Sequence, residues 1–277
     1  MADCVTIDAS ELDLALTIGS GQCFRWTKTA ESRWQTNDLG KNIVAEFEGG
    51  HSILLGDLTH INGYFRLQEG DVASKLLEID PDLEDVILKQ RGLRLITPAG
   101  RAETLISFLC TPNNNLTRIK AMVDHMTNLV PDGHFPRFEV LADLPESWYR
   151  ERGFGYRGAT IPRAARILVD RGGCEYLNVL ASSSYHDAHK ALVELPGVGR
   201  KVADCIALYA LHHTSAVPVD THLWQAAKHR YFPDWSDGSL TDLRYQRIGD
   251  FFREKFGDFA GHAQLFLYHG NLLSKRK

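Results

Sequence analysis

The chain has 277 residues, with 31 Lys and Arg against 35 Asp and Glu, a hydrophobic content of 44% and an aromatic content of 10%. This balance is typical of a soluble globular protein of one large or two ordinary domains, and it excludes a collagen-like or disordered chain. The sequence has neither an apolar run of about 20 residues nor a signal-peptide pattern at its start, so we expect an intracellular protein with no membrane partner.

The first third of the sequence predicts short strands. The alternation Cys23-Phe24-Arg25-Trp26, the run 43–48, the turn Gly49-Gly50 and the apolar 53–55 are typical of an antiparallel sheet with a hairpin. Residues 1–95 carry 9 basic and 16 acidic side chains. We predict an N-terminal antiparallel-sheet domain over 1–95.

Helical spacing predominates from about residue 102 onward, where Leu105, Ile106 and Leu109 share one face. Residues 96–277 carry 22 basic and 19 acidic side chains, which permits a basic face on this part, although ordinary variation between surfaces explains the difference equally well. The predicted fold class is α+β, with the sheet domain followed by a mainly helical region over 96–277.

The five cysteines form an odd set without a CxxC pair. This pattern predicts free thiols and gives no support to a disulfide framework, a cysteine zinc site or an iron–sulfur cluster.

The segment LPGVGRK at 195–201 joins two amphipathic helices through a turn with two glycines, the pattern of a helix-hairpin-helix. Glycine lets the backbone approach a DNA phosphate, which the N-terminus of the second helix attracts. A bare GxG pattern is more often a turn between helices that uses glycine for its geometry. The residues that follow therefore decide between these readings.

The continuation contains Lys201 at the start of the second helix and Pro218-Val219-Asp220 at the end of an apolar loop. Here the chain resembles the helix-hairpin-helix DNA glycosylase superfamily, whose hairpin is followed by a Gly/Pro-rich loop ending in an aspartate. Val217 stands where that loop has glycine. The string LPGVGRKVADCIALYAL…AVPVDTH is most similar to the 8-oxoguanine DNA glycosylase branch. Further matches occur in order along the chain: GQCFRW at 21–26, Tyr64-Phe65, CTPNNNLTR at 110–118, GYR at 155–157 and AGHAQ at 260–264.

The resemblance implies that Lys201 is a nucleophile that attacks C1′ of the damaged nucleotide and forms a Schiff base. A free lysine is mostly protonated near neutrality, so we expect burial or neighbouring dipoles to deprotonate it. Asp220 would stabilise the positive sugar; its ordinary alternative is an N-cap of the helix near Thr221, and both roles can coexist. Without the resemblance, a surface lysine in a first helical turn is the better interpretation of Lys201.

The resemblance also implies how the flipped-out base is read. The backbone carbonyl of Gly21 would accept a hydrogen bond from the N7–H that only oxidised guanine has, and Gln264 would bond the Watson–Crick edge. Cys205 and Tyr268 would sandwich the base, Tyr268 replacing the phenylalanine of the family and Asn271 an expected aspartate. A small core residue is the ordinary alternative for Cys205.

By the same resemblance, Tyr156 would fill the gap left in the duplex, while Asn113, Arg118 and Arg157 would hold the estranged cytosine. The hairpin glycines Gly197 and Gly199 and the imidazole of His222 would contact DNA phosphates, a buried core histidine being the alternative for His222. No cofactor is required. A structural cation at the hairpin would bind three backbone carbonyls, those of Val193, Leu195 and Val198.

Two other features predict less. His186, His189, His212 and His213 have no carboxylate or cysteine partner at ligand spacing, and solvated helix residues are the favoured interpretation. The basic tail 274–277 is typical of a solvated terminus, although a nuclear signal or a phosphate contact stays open.

These observations predict a bifunctional DNA repair glycosylase that excises 8-oxoguanine opposite cytosine from double-stranded DNA and then cleaves the abasic strand by β-elimination. We expect a monomer, located in the nucleus of a eukaryote or in the cytoplasm and nucleoid of a bacterium. Two alternatives stay open. One is a monofunctional alkylbase glycosylase of the same fold, and the other is a noncatalytic helix-hairpin-helix module that only binds DNA.

Overall fold

The computed structural model describes residues 3–131 and 134–274. Within them the N-terminal part forms a five-stranded antiparallel sheet of strand order β1-β5-β4-β3-β2. The strands are β1 (Asp3–Asp8), β2 (Thr27–Ala30), β3 (Arg33–Asp38), β4 (Lys41–Glu48) and β5 (His51–Gly56). Val44 lies opposite Leu55, and Glu46 lies opposite Ile53. The predicted hairpin about Gly49-Gly50 is thereby confirmed.

Helices make up most of the rest of the described chain. Four of them belong to the first third: α1 (Leu14–Gly19), α2 (Leu58–Tyr64), α3 (Val72–Ile79) and α4 (Glu84–Ile87). The others are α5 (Arg101–Leu109), α6 (Leu116–Thr127), α7 (Phe138–Asp143), α8 (Glu146–Glu151), α9 (Arg157–Asp170), α10 (Cys174–Ser182), α11 (Tyr185–Val193), α12 (Arg200–Tyr209), α13 (Thr221–Tyr231), α14 (Asp242–Phe256) and α15 (Ala260–Ser274). The predicted α+β class is confirmed.

The segment 23–26 is not the strand that its alternation predicted. The chain is irregular there and β2 starts only at Thr27. Phe24 packs into the large helical core, whereas Trp26 packs into the smaller core of the sheet. The apolar alternation therefore arises from two side chains that are buried in different cores, not from one face of a strand.

Two apolar cores organise the molecule. The smaller one lies under the sheet and includes Ile43, Leu54 and Phe65, while the larger one is formed mainly by α5–α15. Side chains of α3 and α4 pack into the larger core, and Ile96 packs into the smaller one. Residues between 72 and 96 therefore contribute side chains to both cores. The domain boundary predicted at residue 95 stays a prediction.

Contacts from the first third hold α15 in place. Gln90 donates from Nε2 to the carbonyl of Phe266 at 3.1 Å, and its Oε1 lies 2.6 Å from Nδ1 of His269. Both partners are buried on α15, so this glutamine fixes the helix that carries Gln264. None of the helices in the described part of the chain has the length and apolar character needed to cross a bilayer.

Candidate active site

The predicted hairpin lies between α11 and α12. Gly197 has φ +84°, a left-handed conformation that favours glycine, and a Cβ on it would lie 3.3 Å from Cβ of Thr160. Gly199 is the N-cap of α12, with φ −88° and open space around its Cα. Both glycines are exposed, whereas Leu195 and Val198 are buried beneath them. The N-terminus of α12 is thereby accessible to an anion.

Lys201 is the second residue of α12, and its side chain hydrogen-bonds to Cys205 one turn later on the same helical face. Cys205 is the largest influence and raises the pKa of Lys201; burial opposes this effect, and Asp220 and Tyr268 add to it. The expectation that burial or dipoles deprotonate this lysine is therefore wrong for the protein without DNA. Its neighbours favour the ammonium form: the Asp220 carboxylate is negatively charged, and the amine is hydrogen-bonded to the thiol of Cys205, whose own pKa burial raises.

Asp220 caps α13. Its Oδ1 accepts hydrogen bonds from the backbone N–H groups of His222 and Leu223, both at 2.9 Å. The N-cap interpretation is correct, and Asp220 also lines the cavity that contains Lys201. The two capping bonds fix this carboxylate beside the amine.

An open cavity brings these residues together. Its walls come from four regions that are distant in sequence: the turn before Gln22, α5, the hairpin helix with its following loop, and α15. The lining residues are Ser20, Gly21, Phe108, Lys201, Cys205, Tyr209, Pro218, Asp220, Gln264 and Tyr268. All the side chains predicted to act on the lesion base, and the Gly21 backbone, thus border one space.

Gln264 presents an unusual polar atom to this region. The residue is 3% exposed, and its Oε1 is buried with no hydrogen-bond partner in the described structure. A buried acceptor without a partner carries a desolvation cost of about 1–3 kcal/mol. An incoming ligand with a suitably placed donor would remove that cost.

The turn at Gly21 supplies a wall from the N-terminal region. Gly21 has φ +82°. The next residue, Gln22, is buried and bonds to Oγ of Ser20 at 2.8 Å, to the carbonyl of Arg94 at 2.8 Å and to the N–H of Ile96 at 2.9 Å. Gln22 therefore immobilises the backbone of Gly21. It was part of the GQCFRW motif but was not itself predicted to matter.

The rings of Tyr268 and His222 meet edge to face, with centroids 5.8 Å apart. Nδ1 of His222 lies 3.2 Å from Oδ1 of Asn271. Both His222 and Asn271 are half-buried. The two departures from the family pattern, Tyr268 and Asn271, consequently lie against the same imidazole.

A second group of predicted residues gathers where the loop 111–115 meets the loop 153–157. The hydroxyl of Tyr156 donates to the carbonyl of Pro112 at 3.2 Å, and Arg157 donates to the same oxygen. Arg118 donates to the carbonyl of Gly153 at 3.3 Å, and Asn113 has φ +51°. Arg157 is buried, and its Nε has no partner in the described structure. These four residues form one cluster, which we call the 112/157 cluster.

Sequence reasoning missed two aromatic walls of the cavity, Phe108 and Tyr209, whose rings stack with centroids 5.3 Å apart. Tyr209 lies four residues after Cys205 on α12, a spacing that places it on the same face and could have found it. Phe108 is contributed by α5, and no local pattern connects it to the hairpin.

The remaining predictions concern metals and histidines. The described residues contain no cluster of His, Cys, Asp or Glu suited to a metal ion. His212 and His213 follow α12 and are half-buried, each ring facing a backbone carbonyl, so they are not solvated helix residues. At the hairpin, the carbonyl of Leu195 accepts the N–H of Val198 at 3.0 Å. Of the basic tail, residues 275–277 lie outside the described residues.

No family model matches the sequence. The chain is 34% identical over 293 residues to the N-glycosylase/DNA lyase OGG1 of Arabidopsis thaliana, covering 96% of this chain and 79% of that protein. It is 32% identical over 321 residues to the N-glycosylase/DNA lyase of Saccharomyces cerevisiae, covering 95% and 84%. The apo-form structure of the Clostridium acetobutylicum 8-oxoguanine glycosylase/lyase is similar with a TM-score of 0.79 at 27% identity, covering 97% of this chain and 98% of that chain.

Proposed function

The chain belongs to the N-glycosylase/DNA lyase family, and from this premise we propose that it excises 8-oxoguanine opposite cytosine and then cleaves the abasic strand. The observation that carries the proposal is the cavity lined by Lys201, Asp220 and Gln264, whose buried Oε1 has no hydrogen-bond partner in the described structure. A nucleophile, an anion for a developing cation and a free acceptor for a base border the same space. The solved relative from Clostridium acetobutylicum is named for 8-oxoguanine, which supports this lesion as the substrate.

In the proposed reaction the neutral amine of Lys201 attacks C1′ of the flipped-out nucleotide. The N-glycosidic bond breaks, and the departing base takes up the proton that the new bond releases from nitrogen. Positive charge develops on the sugar, where the fixed carboxylate of Asp220 stabilises it. Sugar ring opening then gives an imine between C1′ and Lys201.

Strand cleavage follows from the electron withdrawal of the protonated imine. A proton leaves C2′, the bond between C3′ and its phosphate oxygen breaks, and the phosphate departs. Water afterwards hydrolyses the imine and returns Lys201 as an amine. The chemistry requires no metal or redox cofactor, and we expect activity to survive treatment with EDTA.

Recognition of the lesion is assigned to groups on opposite walls of the cavity. The carbonyl of Gly21 would accept the N7–H of the oxidised base, and Gln264 would bond its Watson–Crick edge. Cys205 and Tyr268 would contact the faces of the base. The support is their shared cavity and the immobilised backbone at Gly21.

The 112/157 cluster is assigned to the opposite strand. The exposed ring of Tyr156 would replace the flipped nucleotide in the stack, and Asn113, Arg118 and Arg157 would bond to the estranged cytosine. Arg157 now donates to Pro112, and its orphaned Nε is a donor that a cytosine acceptor would satisfy.

Phosphate binding is assigned to the exposed hairpin. Gly197 and Gly199 would admit a phosphate to the N-terminus of α12, and the half-buried imidazole of His222 would contact a phosphate beside the lesion. We also propose that a cation at the carbonyls of Val193, Leu195 and Val198 links hairpin and phosphate, and that one protein molecule acts per lesion.

The test uses duplexes carrying 8-oxoguanine opposite each of the four bases, incubated with and without borohydride. Wild-type protein should give a trapped covalent complex, most of it opposite cytosine. Lys201→Gln should give none, whereas Lys190→Gln, an exchange of an exposed lysine on α11, should behave as wild type.

Two outcomes would favour the alternatives. Base release without trapping or strand cleavage would identify a monofunctional glycosylase, and alkylated duplexes would then be the substrates to try. Binding to duplex DNA without release of any base, with Lys201→Gln changing affinity alone, would identify a noncatalytic DNA-binding module.

A further inference from the structure

The side chain of Asp204 is a buried carboxylate that the proposed chemistry does not use. It lies on α12, three residues after Lys201, and is 1% exposed. Two tyrosines from different helices donate to it: Tyr185 to Oδ1 at 2.6 Å, and Tyr245 to Oδ2. Nε2 of His189 lies 3.8 Å from Oδ2. A charge buried this deeply persists only when such partners compensate its desolvation.

The Tyr245 hydroxyl has a second partner, which connects this carboxylate to the active site. Its oxygen accepts the backbone N–H of Val219, at a long distance of 3.4 Å. Val219 is itself 1% exposed and directly precedes Asp220. A buried N–H needs a partner inside the protein, and this hydroxyl provides it.

Tyr245 is anchored by the core as well as by the elements that it joins. It lies on α14, which is held in the large core by Ile248 and Phe252, both fully buried. One hydroxyl on this helix therefore bonds to the helix that carries Lys201 and to the loop that carries Asp220.

We propose that Tyr245 and Asp204 are positioning residues that set the placement of the Asp220 carboxylate relative to the Lys201 amine. The inference rests on the proposed function of those two groups. Loss of the Tyr245 hydroxyl leaves Val219 N–H without its partner and lets the loop 217–220 move relative to α12. A displacement of a fraction of an ångström between reacting groups slows a reaction without weakening substrate binding.

The test is Tyr245→Phe, measured by single-turnover base excision and by affinity for a duplex with an uncleavable abasic-site analogue. We expect the excision rate to fall about 10-fold or more while affinity stays within about twofold. A fall in the excision rate at unchanged affinity for DNA distinguishes a positioning role from a general loss of structure.

The chain offers a matched control in Tyr231, at the end of α13 farthest from Asp220. Its hydroxyl also donates to a buried carboxylate, that of Asp80, at 2.6 Å. Tyr231→Phe removes an equivalent bond and should leave the excision rate within about twofold of wild type. Tyr185→Phe, which frees Oδ1 of Asp204 but spares the bond to Val219, should slow excision less than Tyr245→Phe does.

A second variant tests the proposal if Tyr245→Phe cannot be used, and specific results would overturn it. If Tyr245→Phe does not fold, Asp204→Asn, which keeps the shape of the side chain but replaces one acceptor oxygen with an NH2 group and removes the charge, must show the same loss of rate at unchanged affinity. Unchanged excision by folded Tyr245→Phe, or an equal loss in Tyr231→Phe, overturns the positioning role. Failure of the wild-type protein itself to form a trapped complex would instead overturn the proposed function.

Discussion

Lys201 and Cys205 lie one turn apart on α12, and the amine is hydrogen-bonded to the thiol at the wall of the cavity. Cys205 has the largest influence on the amine and raises the pKa of Lys201, while burial raises the pKa of the thiol itself. An ammonium cannot attack C1′, because its nitrogen has no free electron pair. The residue that contacts the base in our proposal thus also controls how much nucleophile is present.

Cys205→Ala should shift the pH dependence of the reaction toward acid. At any pH below the lysine pKa, the fraction of neutral amine rises as that pKa falls. Removal of the thiol removes the largest cause of the raised pKa. The rising limb of single-turnover excision against pH should therefore lie at lower pH in Cys205→Ala than in wild type.

The comparison needs a variant that keeps the size of the side chain. Cys205→Ser retains a hydrogen-bond acceptor but ionises far less readily. The rise of its excision rate with pH should also occur at lower pH than in wild type. If the excision rate of both variants rises over the same pH range as that of wild type, Cys205 does not govern the protonation of Lys201.

Gln264→Leu should lower activity and raise stability together. The change removes the acceptor proposed to bond the base, and we expect the excision rate to fall about 10-fold, equivalent to one hydrogen bond of about 1.4 kcal/mol. It also removes a buried oxygen without a partner, so the free energy of unfolding should rise by about 1 kcal/mol.

Urea unfolding and single-turnover kinetics on the same samples give both quantities. Gln246→Leu, on α14, exchanges the same residue types outside the cavity and serves as the control. A Gln264→Leu protein that is destabilised yet fully active would contradict both parts of the prediction.

Several active-site residues could be predicted because they lie in ordered motifs. Lys201, Cys205 and Asp220 belong to one continuous stretch, so the helical period and the loop place them together. Gln264 and Gly21 came from the resemblance alone, since no local rule brings residue 21 next to residue 264. Their meeting depends on the packing of α15 against the first third of the chain.

The positions that were missed share a physical reason. Tyr245 is one tyrosine on an amphipathic helix, and only the tertiary structure reveals that its hydroxyl reaches both Asp204 and Val219. The prediction that Lys201 is deprotonated was wrong because helix position and burial both predict a lowered pKa for this lysine. The opposing influence of Cys205 on the pKa of Lys201 depends on side-chain rotamers that no sequence pattern reports.

Arg157→Gln should relax selectivity for the base opposite the lesion. Arg157 is buried, and its orphaned Nε is the donor proposed to meet cytosine. We expect the ratio of excision rates opposite cytosine and opposite adenine to fall about 10-fold. Arg152→Gln removes an arginine that lies over the ring of Trp148, outside the 112/157 cluster, and should keep the ratio. An unchanged ratio in Arg157→Gln would remove this residue from opposite-base recognition.

Glu103→Gln should stabilise the protein at alkaline pH only. Burial raises the pKa of Glu103 to about 7, although Arg25 at 3.3 Å opposes that shift. A carboxyl with a folded-state pKa above its unfolded value of 4.5 contributes stability below pH 4.5 and loses that contribution as pH rises through 7. The variant cannot ionise, so at pH 8 it should be more stable by up to ~3 kcal/mol.

The check is the difference in free energy of unfolding between variant and wild type at pH 4 and pH 8. At pH 4 Glu103 is largely neutral in the folded and the unfolded wild-type protein, so the difference at that pH is the baseline, and its change with pH is the quantity to compare. A difference that does not grow between the two pH values would show that Glu103 titrates normally.

The two hairpin glycines should separate folding from DNA binding. Gly197→Ala places a side chain at φ +84° and a Cβ 3.3 Å from Thr160, so the free energy of unfolding should fall by about 1–2 kcal/mol. Gly199→Ala adds its Cβ in open space at φ −88° and should cost less than about 1 kcal/mol. That methyl group nevertheless lies where a phosphate would approach α12, so affinity for lesion-free duplex should fall in both variants.

Urea unfolding and binding at two salt concentrations measure the two effects. If Gly199→Ala binds DNA as wild type does, the phosphate does not approach the hairpin at this residue, and the role of the glycine is confined to the turn.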